Sequence, residues 1–328
     1  LCASRGLGDV YKRQEWNDYI SFMKAQLTEL LTNYGEIGGI WFDGEWDQFK
    51  WDGKRFGEPM ADFKLSEVYS LIHKLQPQAL IGSNHHLAPN PGEDFQMFEK
   101  DLPGRSTKSF ATSADDIGNL PLEVCETING SWGFNLKDRK HKSKKELVQY
   151  LIKAAGYDSN LLLNVGPMPN GKIQEEHIKS LKEIGDWIKV NGETIYGTIR
   201  GPIDPTDEIA STQKDNTIYI HLLDNRKTYF IEGYNPKIKK ISYYHSNKKV
   251  KYQKTKSGLI INVDDNELRK NVEMLIENKV DFLKAYEMLS PSQFKLLTEL
   301  AKKNNLKLTG HVPCLLYTSD AADDHHRV

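Results

Sequence analysis

The amino-acid sequence predicts an α/β protein, in which a parallel sheet wrapped by helices is followed by a small antiparallel β-sandwich. Two observations carry this prediction. As far as about residue 197, apolar residues at helical spacing alternate with short apolar runs of strand length. From about Thr198 the apolar residues alternate with polar ones, as in antiparallel strands. After residue 264 a helix-and-strand pattern returns, and we expect a short αβαβ tail there.

The elements of the first part follow from the spacing of the apolar residues. A helix is predicted over residues 15–34, and residues 37–42 are predicted to be a strand buried on both faces. Ser143 and Glu146 form a capping-box pattern at a helix start. The polar stretches 45–62 and 84–104 are predicted to be loops. Further helices are predicted over residues 65–75, 147–155 and 175–190, and further strands over residues 79–83, 122–126 and 161–165.

The second part and the two ends are predicted in the same way. Antiparallel strands are predicted over residues 217–223, 229–231, 238–244 and 259–263. In the tail, helices are predicted over residues 268–277 and 290–304, and strands over 280–283 and 306–311. Residues 1–14 and 314–328 have no amphipathic period and resemble translated adapter sequence, so we expect both ends to be non-native.

The composition excludes several classes of protein. The 328 residues are 38% hydrophobic and 27% charged, with a mean hydropathy of −0.59, which excludes intrinsic disorder. Lys and Arg number 44 against 45 Asp and Glu, so no overall field would hold nucleic acid or an anionic membrane. No apolar run approaches the ~20 residues of a membrane helix. We therefore expect neither a nucleic-acid nor a membrane partner.

Asp43 is the first candidate for chemistry, because it directly follows a predicted parallel strand. The carboxyl ends of such strands form the edge at which α/β barrels build their active sites. Asp43-Gly44 is also a common turn pair, and a turn is the structural alternative. The neighbouring Trp41 and Glu45 favour a sugar site, since an aromatic ring stacks on sugar C–H faces and a carboxylate binds hydroxyl groups.

Two acidic clusters offer the second carboxyl group that glycoside hydrolysis requires. Glu93, Asp94 and Glu99 lie in one polar stretch, and Glu123 and Glu126 lie in the next predicted strand. The alternative is that these acids are solvated surface residues.

Trp132 and a histidine pair are further candidates for contact with a substrate. An exposed Trp in a loop is unusual unless it binds something, although Trp132 could instead be buried against the sheet. His85 and His86 lack the spacing of a metal site, which favours hydrogen bonding to a substrate.

These motifs, in this order, resemble the α-L-fucosidases of glycoside hydrolase family 29. The resemblance covers about residues 15–263 and implies part of a (β/α)8 barrel over residues 15–197 and a β-sandwich over residues 198–264. It implies retaining hydrolysis of terminal α-L-fucosyl groups from glycans or glycoconjugates, no metal or other cofactor, and a periplasmic or secreted bacterial protein. The matching segments are 40–44 (IWFDG), 92–95 (GEDF), 123–135, 160–167 (NLLLNVGP) and 184–198.

The same resemblance implies roles for individual residues. Asp43 is the nucleophile and Glu99 the general acid/base, with Glu123 as the competing acid. The positions that match the lining of the fucose pocket are Trp41, His85, His86, Glu123 and Trp132.

Two departures from the family pattern affect these expectations. The chain has no His-His-Asp-Gly-Phe motif, so we expect the front of the barrel to be missing. Asn84-His85-His86 stands where the family often has Asn-Asp-Arg, which leaves the glycan preference open.

The segment 265–313 resembles a barrel segment of the amidohydrolase superfamily, in which a strand-end His such as His311 binds metal. We expect this segment to derive from another gene, joined near residues 263–266. Two alternatives stay open: a catalytically silent carbohydrate-binding protein, and a metal-dependent amidohydrolase if the tail is the functional part.

Overall fold

The computed structural model describes residues 13–44, 49–51, 56–59, 61–85, 88–104, 117–224, 226–263, 282–285 and 291–310. The chain divides into two compact units, and the boundary between them falls within two strands. The first unit is Leu1–Pro205 with Ser211–Tyr219, and the second is Thr206–Ala210 with Ile220–Val328. The predicted helix over residues 268–277, most of the two predicted non-native ends and His311 lie outside the described residues.

The first unit alternates helices and strands, as the sequence predicts. Its elements are α1 (Arg13–Asn33), β1 (Gly39–Phe42), β2 (Phe49–Trp51), β3 (Phe56–Pro59), α2 (Leu65–Leu75), β4 (Leu80–Ser83), β5 (Gln96–Glu99), β6 (Leu122–Thr127), α3 (Lys144–Gly156), β7 (Ser159–Asn164), α4 (Glu175–Asn191) and β8 (Ile199–Arg200). Strands β1 and β4 pair in parallel, and β5, β6 and β7 form a parallel sheet in that order. The capping box of Ser143 and Glu146 is confirmed at the start of α3.

One face of each parallel strand packs on the helices. Ile40 and Phe42 of β1 contact the core that contains Ile72 of α2, and Val124 of β6 packs with Ala154 of α3. Because successive strand residues point to opposite faces, the intervening residues form an inner face. The prediction that the first strand is buried on both faces is wrong, since Trp41 on the inner face of β1 is 43% exposed.

A short polar segment connects β4 to the sheet that begins with β5. The backbone N–H of Asp94 donates to Ile81 O over 2.7 Å, and Ile81 N–H donates to Asp94 Oδ2 over 2.8 Å. The ring of Phe95 lies against Gly82, where a Cβ atom would stand 2.4 Å from the ring. The prediction that residues 84–104 are all loop is therefore wrong, because they contain β5. The predicted loop 45–62 likewise contains the antiparallel strands β2 and β3.

The boundary between the units passes through β9 (Ile209–Lys214) and β10 (Thr217–Leu222). In the second unit, β13 (Gly258–Asn262) is the central strand between β11 (Thr228–Glu232) and β12 (Lys251–Thr255), with antiparallel pairing on both sides. The predicted strand 238–244 is wrong, since that stretch forms only an isolated bridge between Ser242 and Lys249. Strand β12 was missed because almost all of its side chains are exposed and show no apolar alternation.

The tail contains a parallel strand pair with a helix between its strands: β14 (Phe282–Ala285), α5 (Pro291–Lys303) and β15 (Lys307–Gly310). These elements confirm the predicted strand–helix–strand order. None of the described helices is both long enough and apolar enough to cross a membrane.

Candidate active site

Polar side chains collect at the carboxyl ends of the five parallel strands described in the first unit, on the inner face. Asp43 follows β1, Asn84 follows β4, Glu99 ends β5, Thr127 ends β6 and Asn164 ends β7. The strand pairing places them side by side, because Phe42 is in register with Ser83 and Thr127 with Asn164. The sequence therefore folds so that polar groups stand at the carboxyl ends of both parallel sheets.

Asn84 connects the two acids that the sequence singled out as catalytic. Its Nδ2 lies 3.1 Å from Asp43 Oδ1 and 2.9 Å from Glu99 Oε2, so the amide donates to both carboxylates. The Asn84 side chain is buried, and its backbone N–H donates to Phe42 O over 2.9 Å, which fixes the amide at this position. Because both distances end on the same nitrogen, the two carboxylate oxygens are separated by at most the sum of 3.1 and 2.9 Å, about 6 Å.

Trp132 contacts the other oxygen of Glu99. The indole Nε1–H donates to Glu99 Oε1 over 3.0 Å, and the ring is 36% exposed. Asn164 Nδ2 donates to Trp132 O over 2.7 Å, and the Lys100 ammonium lies 4.9 Å from the centre of the indole ring. Both oxygens of Glu99 are thus held by side-chain N–H groups, one on each side.

The segment that carries Trp132, residues 128–142, is folded back on itself; we call it the Trp132 loop. Asp138 Oδ2 accepts from the backbone N–H of Gly130 over 2.7 Å and from Ser131 Oγ over 2.9 Å. Gly166 lies against the same loop, and a Cβ atom there would stand 2.6 Å from the backbone of Gly133. The position of the indole ring therefore depends on close backbone packing as well as on its own hydrogen bonds.

The acids of the site make their surroundings negative. Burial, together with the negative charges of Glu99, Glu123 and Asp43, raises the pKa of the Cys125 thiol to about 12. Cys125 is buried and remains protonated at neutral pH, so it is not a nucleophile.

Glu123 lies farther from the carboxyl ends of the strands than Asp43 and Glu99 do, on the same inner face. It is in the first half of β6 and lines a cavity of about 750 Å³ together with β7 and the helices α3 and α4. Burial raises the pKa of its carboxyl group. Trp41 is two residues before Asp43, so its side chain lies on the same face of the strand, and Trp41 is largely exposed.

His85 is buried, and its ring contacts a different acid. Its Nε2 lies 2.9 Å from Glu93 Oε1, which also accepts from the Tyr69 hydroxyl of α2 over 3.1 Å. His86 lies outside the described residues. Contact of either histidine with a substrate stays a prediction.

The site also contains residues to which the sequence analysis assigned no role in the site. Asn84, Asn164 and Lys100 each contact Asp43, Glu99 or Trp132. A signal was available for Asn84, because it directly follows β4 just as Asp43 follows β1. In the described part of the chain, no three His, Cys, Asp or Glu side chains converge to hold a metal ion.

Comparison with known proteins decides the family. The family profile described as alpha-L-fucosidase matches residues 7–193, more than half of the chain. The chain belongs to the alpha-L-fucosidase family. This confirms the family resemblance found in the sequence, while the likeness of residues 265–313 to amidohydrolases stays a prediction.

Named relatives of this alpha-L-fucosidase family member come from distant organisms. Alpha-L-fucosidase 1 of Arabidopsis thaliana is 29% identical over 184 residues, which are 52% of this chain and 34% of that protein. The alpha-L-fucosidase of Branchiostoma floridae is 32% identical over 207 residues, which are 54% of this chain and 45% of that protein. The chain thus spans between a third and a half of the length of these relatives.

Solved structures of fucosidases match the fold. Alpha-L-fucosidase isoenzyme 1 from Paenibacillus thiaminolyticus is 31% identical with a TM-score of 0.59, covering 77% of this chain and 60% of that one. The Thermotoga maritima alpha-fucosidase in complex with fucose has a TM-score of 0.56 at 22% identity, covering 77% of this chain and 54% of that one. At that identity the second match shows the fold alone.

Proposed function

We propose that the first unit is the carboxyl-terminal part of the (β/α)8 catalytic barrel of a retaining exo-α-L-fucosidase. In this proposal Asp43 is the nucleophile and Glu99 the general acid/base, and the antiparallel strands of the second unit belong to a β-sandwich. The observation that carries the proposal is the amide of Asn84, which holds Asp43 and Glu99 together at the carboxyl ends of β1 and β5.

The separation of the two carboxyl groups supports retention of configuration. Retaining glycosidases hold these groups about 5–5.5 Å apart, whereas inverting enzymes need about 6.5–9.5 Å to admit a water molecule between acid and sugar. Asp43 Oδ1 and Glu99 Oε2 lie within about 6 Å of each other, because both accept from the same Asn84 nitrogen. This close approach of one oxygen from each acid is compatible with the retaining spacing and with direct attack by Asp43.

The proposed reaction has two steps. Asp43 attacks the anomeric carbon while Glu99 donates its proton to the glycosidic oxygen, and the aglycone leaves with a new O–H bond. Glu99, now ionised, then takes a proton from water as that water attacks the fucosyl–Asp43 ester. Asn84 and Trp132 each donate an N–H group to Glu99, and these hydrogen bonds suit the carboxylate form of Glu99 that exists between the two steps.

Glu123 is the alternative acid/base, and one observation favours it. A general acid works best with a raised pKa, and burial raises the pKa of Glu123. Against it, Glu123 lies in the first half of β6, whereas the proposed nucleophile follows the end of β1.

Azide rescue separates the two candidates. We expect Asp43→Ala to abolish release of 4-nitrophenol from its α-L-fucoside. We expect Glu99→Ala to be slow and to recover with azide, giving fucosyl azide of the α configuration, because azide attacks the covalent intermediate without needing a base. The matched variant Glu123→Ala should form no azide product, whatever activity it retains. Recovery of Glu123→Ala alone would move the acid/base role to Glu123.

A second function is a carbohydrate-binding protein without turnover. The exposed inner face favours it, because Trp41 is 43% and Leu162 is 44% exposed there. Calorimetry with fucose beside the 4-nitrophenyl assay distinguishes the two functions, since binding without release of nitrophenol identifies the silent protein.

A further inference from the structure

The Trp132 loop carries a local concentration of positive charge. Lys137, Arg139 and Lys140 are all exposed, in a chain whose net charge is only −1. We call these three residues the basic segment. The net charge of the whole chain does not reveal this segment, because acidic residues elsewhere offset its positive charge.

The acid within the basic segment, Asp138, cancels only part of its positive charge. The carboxylate of Asp138 makes its hydrogen bonds within its own loop, where the backbone N–H of Gly130 and the side-chain hydroxyl of Ser131 donate to it over 2.7 and 2.9 Å. Hydrogen bonding, chiefly from Ser131, lowers the pKa of Asp138 and keeps it ionised in that position. Within the described ranges, no salt bridge joins Lys137, Arg139 or Lys140 to a carboxylate, whereas the neighbouring Lys142 pairs with Glu126 over 3.2 Å.

A further cation extends the positive charge toward the proposed acid/base. The ammonium of Lys100 lies 4.9 Å from the Trp132 ring centre and donates to Gly130 O over 3.2 Å. The same Trp132 donates to Glu99. An acid/base protonates the oxygen of the leaving group, so the leaving group lies on the Glu99 and Trp132 side of the site. Lys100 therefore borders the side from which the aglycone departs, and the basic segment belongs to the loop that carries Trp132.

We propose that Lys100 and the basic segment recognise an anionic group, either a sulfate ester or a carboxylate, on the sugar to which the cleaved fucosyl residue is attached. This inference rests on the proposed function, because it uses Glu99 to locate the leaving group. Exposed Lys and Arg groups without anionic partners attract such anions, and the Arg139 guanidinium matches their oxygens with two parallel N–H groups.

Binding of non-hydrolysable ligands tests this without requiring turnover. Calorimetry on the full chain uses fucose joined through sulfur to galactose, to galactose 6-sulfate and to glucuronate. The variant is Lys137→Gln/Arg139→Gln/Lys140→Gln. The matched control is Lys237→Gln/Lys239→Gln/Lys240→Gln, which removes three exposed charges at the same spacing from the second unit.

We expect at least one anionic ligand to bind the natural chain about tenfold more tightly than the neutral one at low ionic strength, as for three exposed charge contacts. The preference should fall several-fold in the basic-segment variant, which keeps Lys100, and should persist unchanged in the control. The sulfate and glucuronate arms identify which anion is preferred. Equal binding of neutral and anionic ligands would overturn the inference and leave the proposed function standing. Equal loss of preference in both triple variants would also overturn it. Failure to bind the neutral fucosyl ligand would instead count against the proposed function.

Discussion

The side-chain amide of Asn84 donates to Asp43 Oδ1 over 3.1 Å, although 41 positions separate the two residues in the chain. The second N–H of the same amide reaches Glu99 over 2.9 Å. Asn84 is buried, whereas Asp43 is exposed to the open inner face. A neutral group that donates to both carboxylates allows two acids to stand close together without a metal or a cationic side chain between them.

Substitution of Asn84 is the first prediction. Asn84→Asp places a third carboxyl group between Asp43 and Glu99. We expect kcat/KM for the 4-nitrophenyl fucoside to fall by about 100-fold at pH 7. The reason is that a lost hydrogen bond to a charged group costs about 1.5–3 kcal/mol. The loss should be smaller at acidic pH, where the new carboxyl group is protonated and can donate to one neighbour. Asn84→Ala should lose activity without this pH dependence. A loss of equal size in both variants at every pH would contradict the positioning role.

Trp132→Phe is the second prediction. Phe keeps an aromatic ring but removes the Nε1–H that donates to Glu99, and we expect kcat/KM to fall by about tenfold, in line with one charged hydrogen bond. Trp16→Phe is the control, because its Nε1–H donates to Asp62 O over 2.9 Å at a distance from the site. Steady-state kinetics of the two variants measure the difference. Equal activity in both would mean that the indole N–H contributes nothing to the reaction.

The sequence predicted those site residues whose position follows from their immediate neighbours in the chain. Asp43 was found because it follows an apolar run and precedes Gly44, and the strand does end there. Strand β5 was missed because its four residues mix polar and apolar types, and their burial comes from neighbouring strands rather than from their own periodicity. The contact of Trp132 with Glu99 spans 33 positions, and no spacing rule predicts such a pair. Long-range contacts of this kind depend on the register of the whole sheet.

Gly166→Ala is the third prediction. The added Cβ would stand 2.6 Å from the backbone of Gly133 and of Phe134, which cannot rotate away, so the Trp132 loop must shift. We expect a loss of about 1–3 kcal/mol in the free energy of unfolding and a tenfold or larger fall in kcat/KM. Gly185→Ala in α4 is the matched control, since no atom lies within 4 Å of its Cβ position, and Ala there should stabilise the helix by up to about 1 kcal/mol. Thermal unfolding and kinetics check both variants; full activity in Gly166→Ala would show that the loop tolerates the shift.

His177 in the first turn of α4 gives the fourth prediction, which concerns stability and pH. Its ring is buried, neither ring nitrogen has a hydrogen-bond partner in the described part of the chain, and the His141 ring centre lies 5.4 Å away. Burial, and then the charge of His141, lower the pKa of His177 below 6.5, against the smaller opposing effect of Glu176 and Asp138. The His177 side chain therefore binds its proton near pH 6.5 in the unfolded chain and only at lower pH in the folded chain. The folded state keeps its stability above about pH 6.5 and loses part of it as the pH falls below that value.

We expect the melting temperature of His177→Phe to fall less between pH 7.5 and pH 5 than that of the natural chain. The exposed His245→Gln should leave the pH dependence unchanged, and an unchanged slope in His177→Phe would remove His177 as its source.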